Sequence, residues 1–408
     1  MRLSAGAGFL KADGVPADAR EVRATDLAVT YLEKAVRFRW AVISIWLCVV
    51  GALSAIWPGQ GDWGFFREGS RALIGQPAPG AAGGIHLYAS QPEIQVGPPA
   101  LLAALPFNLL PEPWDVGTAR LVMSLSVLVA LWLVDRLGRA MGVTEARRQR
   151  GVLLGGLMLI PAWVTVAVDF AHLDDILALL LGVLAMLLLV MERPMWAATA
   201  LGIAVATKPW AIVMVPLLLR SGWRPALRPV ALAGVVAVAW WIPFLLDPGT
   251  LTSLWSFRLP IHASSGLAAL GIDPRGEMPG WVRPAQMLGG VLLGVVAARR
   301  GHWTGVLLVG MATRVALDPN PMFYYAVGPV LGALVWDLTR TTTGIPWTAG
   351  CAMAAFSLTP FTSTSQAQGV LRLVVCAGLV LAVLLRRAAP STKPRPAEPR
   401  PVPLQVPA

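Results

Sequence analysis

Apolar residues run along this chain in long stretches separated by short polar gaps, without the strict alternation of strands or the one-sided stripe of surface helices. The pattern predicts helices over about 41–57, 116–135, 151–169, 175–191, 195–207, 209–219, 229–246, 285–298, 303–317, 322–337, 345–358 and 369–385. Several are shorter than the roughly 20 residues that cross a bilayer. The pair meeting at Lys208-Pro209 reads as a broken hairpin that need not span, so the number of crossings is read as about 10 to 13. The stretch from Pro98 to Pro111 is bounded by prolines and is too short to cross, which predicts a short helix along the outer interface. No internal repeat is visible.

Composition agrees with the pattern. At 56% hydrophobic and 13% charged, with mean hydropathy +0.64, the expected fold is an all-α, polytopic helical membrane protein. A net charge of +11 would suggest nucleic acid in a soluble domain. Here the arginines sit in gaps between apolar runs, where they set orientation, so no nucleic-acid partner is expected. Cys48, Cys351 and Cys376 all fall inside apolar runs and read as small buried side chains, not a disulfide or metal framework. Residues 1–38 carry no cleavable signal and read as a cytoplasmic segment. Residues 388–408 carry seven prolines and read as a disordered cytoplasmic tail, leaving 39–387 as the membrane domain.

Threading the runs from a cytoplasmic start places Arg136, Arg139, Arg147, Arg148 and Arg150 in one inner loop. Arg220, Arg224 and Arg228 fall in another, and Arg299 with Arg300 in a third. The acids then collect on the other face, in the long loops 58–115 and 247–284 and at span ends: Asp62, Glu68, Glu93, Glu112, Asp115, Asp169, Asp174, Asp175, Asp247, Asp273, Glu277 and Asp318. Any chemistry is therefore expected on the extracytoplasmic side of a multi-pass cell-membrane protein.

The order of certain short motifs is informative. Asp62 opens the first outer loop. Leu87-Tyr88 and Gln95-Val96-Gly97-Pro98-Pro99 lead to the interfacial helix. Ala171-His172-Leu173-Asp174-Asp175 heads a span, and Ala206-Thr207-Lys208-Pro209-Trp210 and Asp318-Pro319-Asn320 before Tyr324-Tyr325 follow. Together these resemble the integral-membrane GT-C glycosyltransferases that use polyprenyl-phosphate sugars, over most of the chain. The resemblance implies a mannosyl- or arabinosyl-type enzyme acting on a bacterial envelope glycolipid or glycan, with an acid at the place of Asp62 and inversion at the anomeric carbon.

The residues support that chemistry in their own right. Glycosyl transfer from a lipid phosphate needs a base, groups to hold the departing phosphate, and a greasy groove. Asp62 is the candidate base; its structural alternative is an N-cap for the helix through Phe65 to Leu73. Glu68 is the reserve base, or else pairs with Arg71 at i+3. His172, Asp174 and Asp175 suit sugar hydroxyls, a divalent metal, or simply a helix start. Lys208, Arg258 and His262 are candidates for the phosphate, while Arg314 and Asp318 read as a structural ion pair. His86, Tyr88, Gln95 and Tyr324 have polar tips suited to sugar hydroxyls, and Trp63 could stack on a sugar or exclude water from Asp62. Trp40, Trp57, Trp114, Trp196 and Trp303 stand at span ends, as anchors do.

No GxxxxGK[ST], HExxH or GxSxG motif is present. No cofactor is indicated, and the donor is expected to be membrane-borne, because there is no soluble domain to bind a nucleotide sugar. The rival expectation is a transporter or flippase for lipid-linked sugars, with a noncatalytic envelope scaffold as a third class.

Overall fold

The computed structural model describes residue 31 and residues 33–56, 61–362 and 364–386. The expectations for the first 30 residues, for Trp57 and for the 388–408 tail lie outside these residues. Among the described residues the protein is all-helical, apart from an isolated bridge between Pro260 and Glu277. Its helices are α1 (Arg39–Ile56), α2 (Trp63–Leu73), α3 (Pro98–Ala104), α4 (Trp114–Ala140), α5 (Glu145–Val164), α6 (Leu173–Val190) and α7 (Pro194–Thr207). After a 3-10 helix (Pro209–Ser221) come α8 (Trp223–Leu245), α9 (Val282–Arg299), α10 (Val306–Ala316), α11 (Val327–Arg340), α12 (Trp347–Leu358) and α13 (Ser365–Leu384). Every apolar run becomes helical within a few residues of its expected place.

Six described helices are long and apolar enough to cross a membrane: α1, α4, the span Glu145–Asp169, α6, α8 and α13. The protein is therefore a polytopic helical membrane protein. Helix Pro98–Leu109 and the pair flanking Lys208 are shorter than a crossing. The span Glu145–Asp169 and α6 are 72% and 61% buried, whereas α1 and α8 are 11% and 22% buried. The outer helices turn apolar faces outward: Ile45, Val49 and Leu53 on α1, and Val235, Val238 and Ile242 on α8, are all exposed. Side chains of this kind at helical spacing on an outward face mark lipid as the neighbour. The same surface takes Cys48 and Cys351, which are exposed free thiols, and only Cys376 is buried as expected.

Local sequence breaks shape the end of the bundle that carries the polar residues. Pro161 lies inside α5, and the chain beyond it widens into a π-turn, Thr165–Asp169. Ala171 then takes φ +55, a left-handed conformation that is strained for a residue with a Cβ. The reversal brings His172 to the head of α6. A second break follows α7: Lys208 precedes Pro209 and adopts the extended conformation (φ −144, ψ 111) that a following proline favours. Gly97 packs so closely on this break that a Cβ there would collide with the Ala206 carbonyl oxygen. Its N–H donates to the Thr207 carbonyl at 3.0 Å. The first loop is thus clamped onto the broken hairpin, joining segments more than 100 residues apart in sequence.

Candidate active site

These breaks converge on a cavity of about 510 Å³. Asp62 reaches it from the residue before α2. Its backbone N–H donates to the Phe170 carbonyl at 2.7 Å, and its side chain makes no capping hydrogen bond to the helix. The carboxylate lies 2.9 Å from His172 Nε2 and is 45% exposed. The capping alternative is thereby corrected: the side chain faces the cavity instead of the helix end.

His172 is 8% exposed and stands between acids on both sides. Its Nδ1 lies 3.6 Å from Asp174 Oδ1 and 3.8 Å from Asp175 Oδ2, although neither ring nitrogen is aimed well enough for a directed hydrogen bond. Tyr324 stacks on the imidazole with ring centroids 4.6 Å apart. Burial opposes charging the ring. The contacts with Asp174 and Asp62 and the charges of Asp174 and Asp175 outweigh it and raise the His172 pKa from 6.5 to about 9.

A folded value above the ordinary 6.5 means that the unfolded chain releases this proton first as pH rises. The stabilisation is complete below about pH 6.5 and is lost as pH climbs through about 9. Thermal midpoints of the purified protein should fall across that window, by the equivalent of up to about 3 kcal/mol, and His172→Gln should flatten the slope. A wild-type slope unchanged in the variant would refute the assignment.

Asp174 and Asp175 lie behind this layer and do not line the cavity. Asp174 is fully buried and hydrogen-bonds the Lys208 ammonium. Asp175 accepts from Trp210 Nε1 at 2.8 Å and lies 4.0 Å from Lys208 Nζ. The expectation that these two acids bind sugar hydroxyls is corrected: they are the buried counter-ions of Lys208 and His172. Ligand atoms of His172, Asp174 and Asp175 lie within 4.8 Å of one another, a metal-compatible spacing. In this structure the ammonium of Lys208 and the imidazole of His172 face these carboxylates, so the donor set is matched to cations the chain itself carries.

Lys208 still lines the cavity, with Arg283 and Arg314. Arg314 lies between two aromatic faces, 4.9 Å from the Trp210 ring and 4.7 Å from that of Tyr325. It is 3.9 Å from Asp318 Oδ2, so the expected pair forms, but both members face the cavity. Burial raises the Asp318 carboxyl, against the opposing pull of Arg314. Arg283 donates to Gln95 Oε1 at 2.9 Å, which keeps Gln95 at the wall as expected. Glu93, Gln286 and Asn320 also line it.

Other expected site residues lie elsewhere. Trp63 is buried, donates to Asp115 Oδ2 at 3.3 Å and stacks on Phe66, so it is core and not a sugar platform. Glu68 is exposed and off the cavity, and no pair with Arg71 forms among the described residues; Arg67 instead pairs with Glu112 and Asp115. His86 is exposed and contacts Asp247 at 2.7 Å. Tyr88 is fully buried, its hydroxyl donating to the Val96 carbonyl at 2.8 Å, where it fixes the segment that carries Gln95. Arg258 and His262 are exposed and do not line the cavity; His262 Nδ1 contacts Ser264 Oγ at 2.8 Å. Their place among the cavity cations is taken by Arg283 and Arg314. A sequence signal pointed at Arg314 alone, an arginine inside the apolar run 303–317, which is costly unless used or paired; Arg283 lies just ahead of the run 285–298 and carried no such signal.

The chain matches no family of known proteins, and no curated protein matches it.

Proposed function

We propose that the protein is a membrane glycosyltransferase of the GT-C kind, moving mannose or arabinose from a polyprenyl-phosphate donor to an envelope glycolipid or glycan. The observation that carries this reading is one cavity of about 510 Å³ that combines a half-exposed carboxylate beside His172, the cations Lys208, Arg283 and Arg314, and an aromatic and aliphatic lining in a helical membrane protein. In this reading the cavity faces the extracytoplasmic side and both termini are cytoplasmic, as the arginine distribution favours.

The acceptor hydroxyl gives its proton to Asp62 as its oxygen bonds to the anomeric carbon. The bond from that carbon to the phosphate oxygen breaks, and its electron pair leaves with the phosphate, where Arg283, Arg314 and Lys208 stabilise the charge. Attack from the face opposite the leaving group gives inversion. His172 holds the carboxylate in place, Tyr324, Gln95 and Asn320 supply hydrogen-bonding groups for the sugar, and Phe65, Phe170, Phe257 and Leu259 give the prenyl chain an apolar wall.

The test is transfer of label from radiolabelled polyprenyl-phosphate mannose or arabinose to glycolipid by the purified protein in vesicles. Product formation supports the reading, and a folded protein inert toward every such donor refutes it. The helix break at Lys208 and the charges buried beside it favour a second reading, transport of the lipid-linked sugar, since transporters often bind substrate at broken helices. Flux across sealed vesicles without product would select transport.

A further inference from the structure

Beside the main cavity, and sharing Met322 and Tyr325 with it, lies a smaller one of about 180 Å³. Its lining includes Ser264, Thr359, Gln368 and Arg372. Arg372 is the sole charged residue between Arg340 and Arg386 in the sequence. It sits on the buried stripe of α13, in line with Gly369, Cys376, Leu379 and Val383, about 10 Å along the helix from Ser365 at 1.5 Å per residue. It is 4% exposed.

Its guanidinium is incompletely matched. Nη2 donates to the Pro321 carbonyl at 2.8 Å, while Nε and Nη1 have no hydrogen-bond partner. Among the described residues no carboxylate lies within ion-pair distance of it: the nearby Asp318 pairs with Arg314 and accepts from the Asn320 N–H at 3.0 Å. A cation in a membrane helix with donors left over is expensive unless an anion completes it. Two buried hydroxyls share the cavity but already have partners, Ser264 Oγ at 2.8 Å from His262 Nδ1 and Thr359 donating to the Ala355 carbonyl at 2.9 Å, which leaves Arg372 as the group with donors to spare. Leu358 and Phe361, next to the lining residues Thr359 and Pro360, are exposed and apolar, while Val370 and Val374 are exposed on the face of α13 opposite Arg372, so the element that carries Arg372 has a lipid-facing side.

We infer that this smaller cavity binds a phosphate group through the unpartnered Nε and Nη1 of Arg372, the phosphate being that of an anionic phospholipid reaching in from the bilayer. Arginine suits a phosphate because its planar donors match the oxygens. The site is separate from the proposed transfer chemistry. Its readout is binding, so it stands or falls independently of that reaction.

The full chain, delipidated in dodecyl maltoside, is melted with added phosphatidylglycerol, with inorganic phosphate, or with diacylglycerol as a phosphate-free control. Phosphatidylglycerol should raise the wild-type midpoint on the order of 3 °C, and diacylglycerol should not. Arg372→Met should lose the rise, with a midpoint in detergent no lower than wild type, because it removes an uncompensated charge. Arg372→Lys keeps the charge without the planar donors. It should need on the order of tenfold more phospholipid for half the rise, and it remains informative if the methionine variant fails to fold. A rise with inorganic phosphate alone, lost in the variants, supports the site and makes its ligand a soluble phosphate. Equal rises in wild type and variants, or no rise with either anion, overturns the inference.

Discussion

If the protein is the proposed transferase, Asp62→Asn should lower glycosyl transfer by about 10² to 10⁴-fold, the usual worth of a positioned general base, and leave the protein folded. The amide has nearly the shape of the carboxylate but cannot accept the hydroxyl proton. At 45% exposure the side chain contributes little to packing, and His172 keeps its contacts with Asp174 and Asp175. Loss should therefore appear in kcat with donor affinity largely kept, since in that proposal the phosphate is held by other side chains. Asp62→Glu, which restores a carboxylate on a longer arm, recovers part of the rate. Wild-type transfer by the asparagine variant would remove Asp62 from the chemistry.

Lys208→Met should cost about 3 kcal/mol of stability, because it removes the cation hydrogen-bonded to the fully buried Asp174 and leaves that carboxylate with only the His172 imidazole, 3.6 Å away. The discriminating experiment is a double-mutant cycle. Asp174→Asn added to Lys208→Met should return most of the stability, since the charge left behind is then removed. If Lys208 served the donor phosphate alone, the single variant would melt like wild type and lose only activity. If it serves both, the double variant refolds and still transfers slowly. Purified variants compared by thermal melting and by transfer separate these outcomes.

The two residues illustrate how far the chain could be read unaided. Asp62 was identifiable because a carboxylate at the mouth of a membrane helix needs a reason to be there. Lys208 stood out as a lone cation before a proline between apolar runs. The layer between them was only partly legible. His172-Leu173-Asp174-Asp175 reads as one cluster, yet the fold turns His172 toward Asp62 and the cavity while Asp174 and Asp175 face Lys208 and Trp210 behind it. The φ of +55 at Ala171 and the helical turn that begins at Leu173 decide which side chain points where, and nothing in the spacing reveals it.

Nearness in sequence misled in the first loop. Trp63 and Glu68 flank Asp62, but on a helix that buries Trp63 against Phe66 and Asp115 and turns Glu68 outward. Arg283 and Arg314 come from the far half of the chain and meet Gln95 and Trp210 only through packing.

By itself, then, the sequence determined the solvent this protein lives in and the helices it makes there. Apolar runs without charge cannot leave their backbone groups unpaired in lipid, so each must become a helix. Pro209 likewise marked the break after α7, although Pro229 and Pro243 lie inside α8 without ending it. Which polar side chains share a cavity was decided only by tertiary structure, because it depends on contacts such as Gly97 against Ala206 and Thr207 that join segments far apart in the chain. A polar residue near the membrane has a cost that local sequence reveals, while the partner that offsets it is set by the fold.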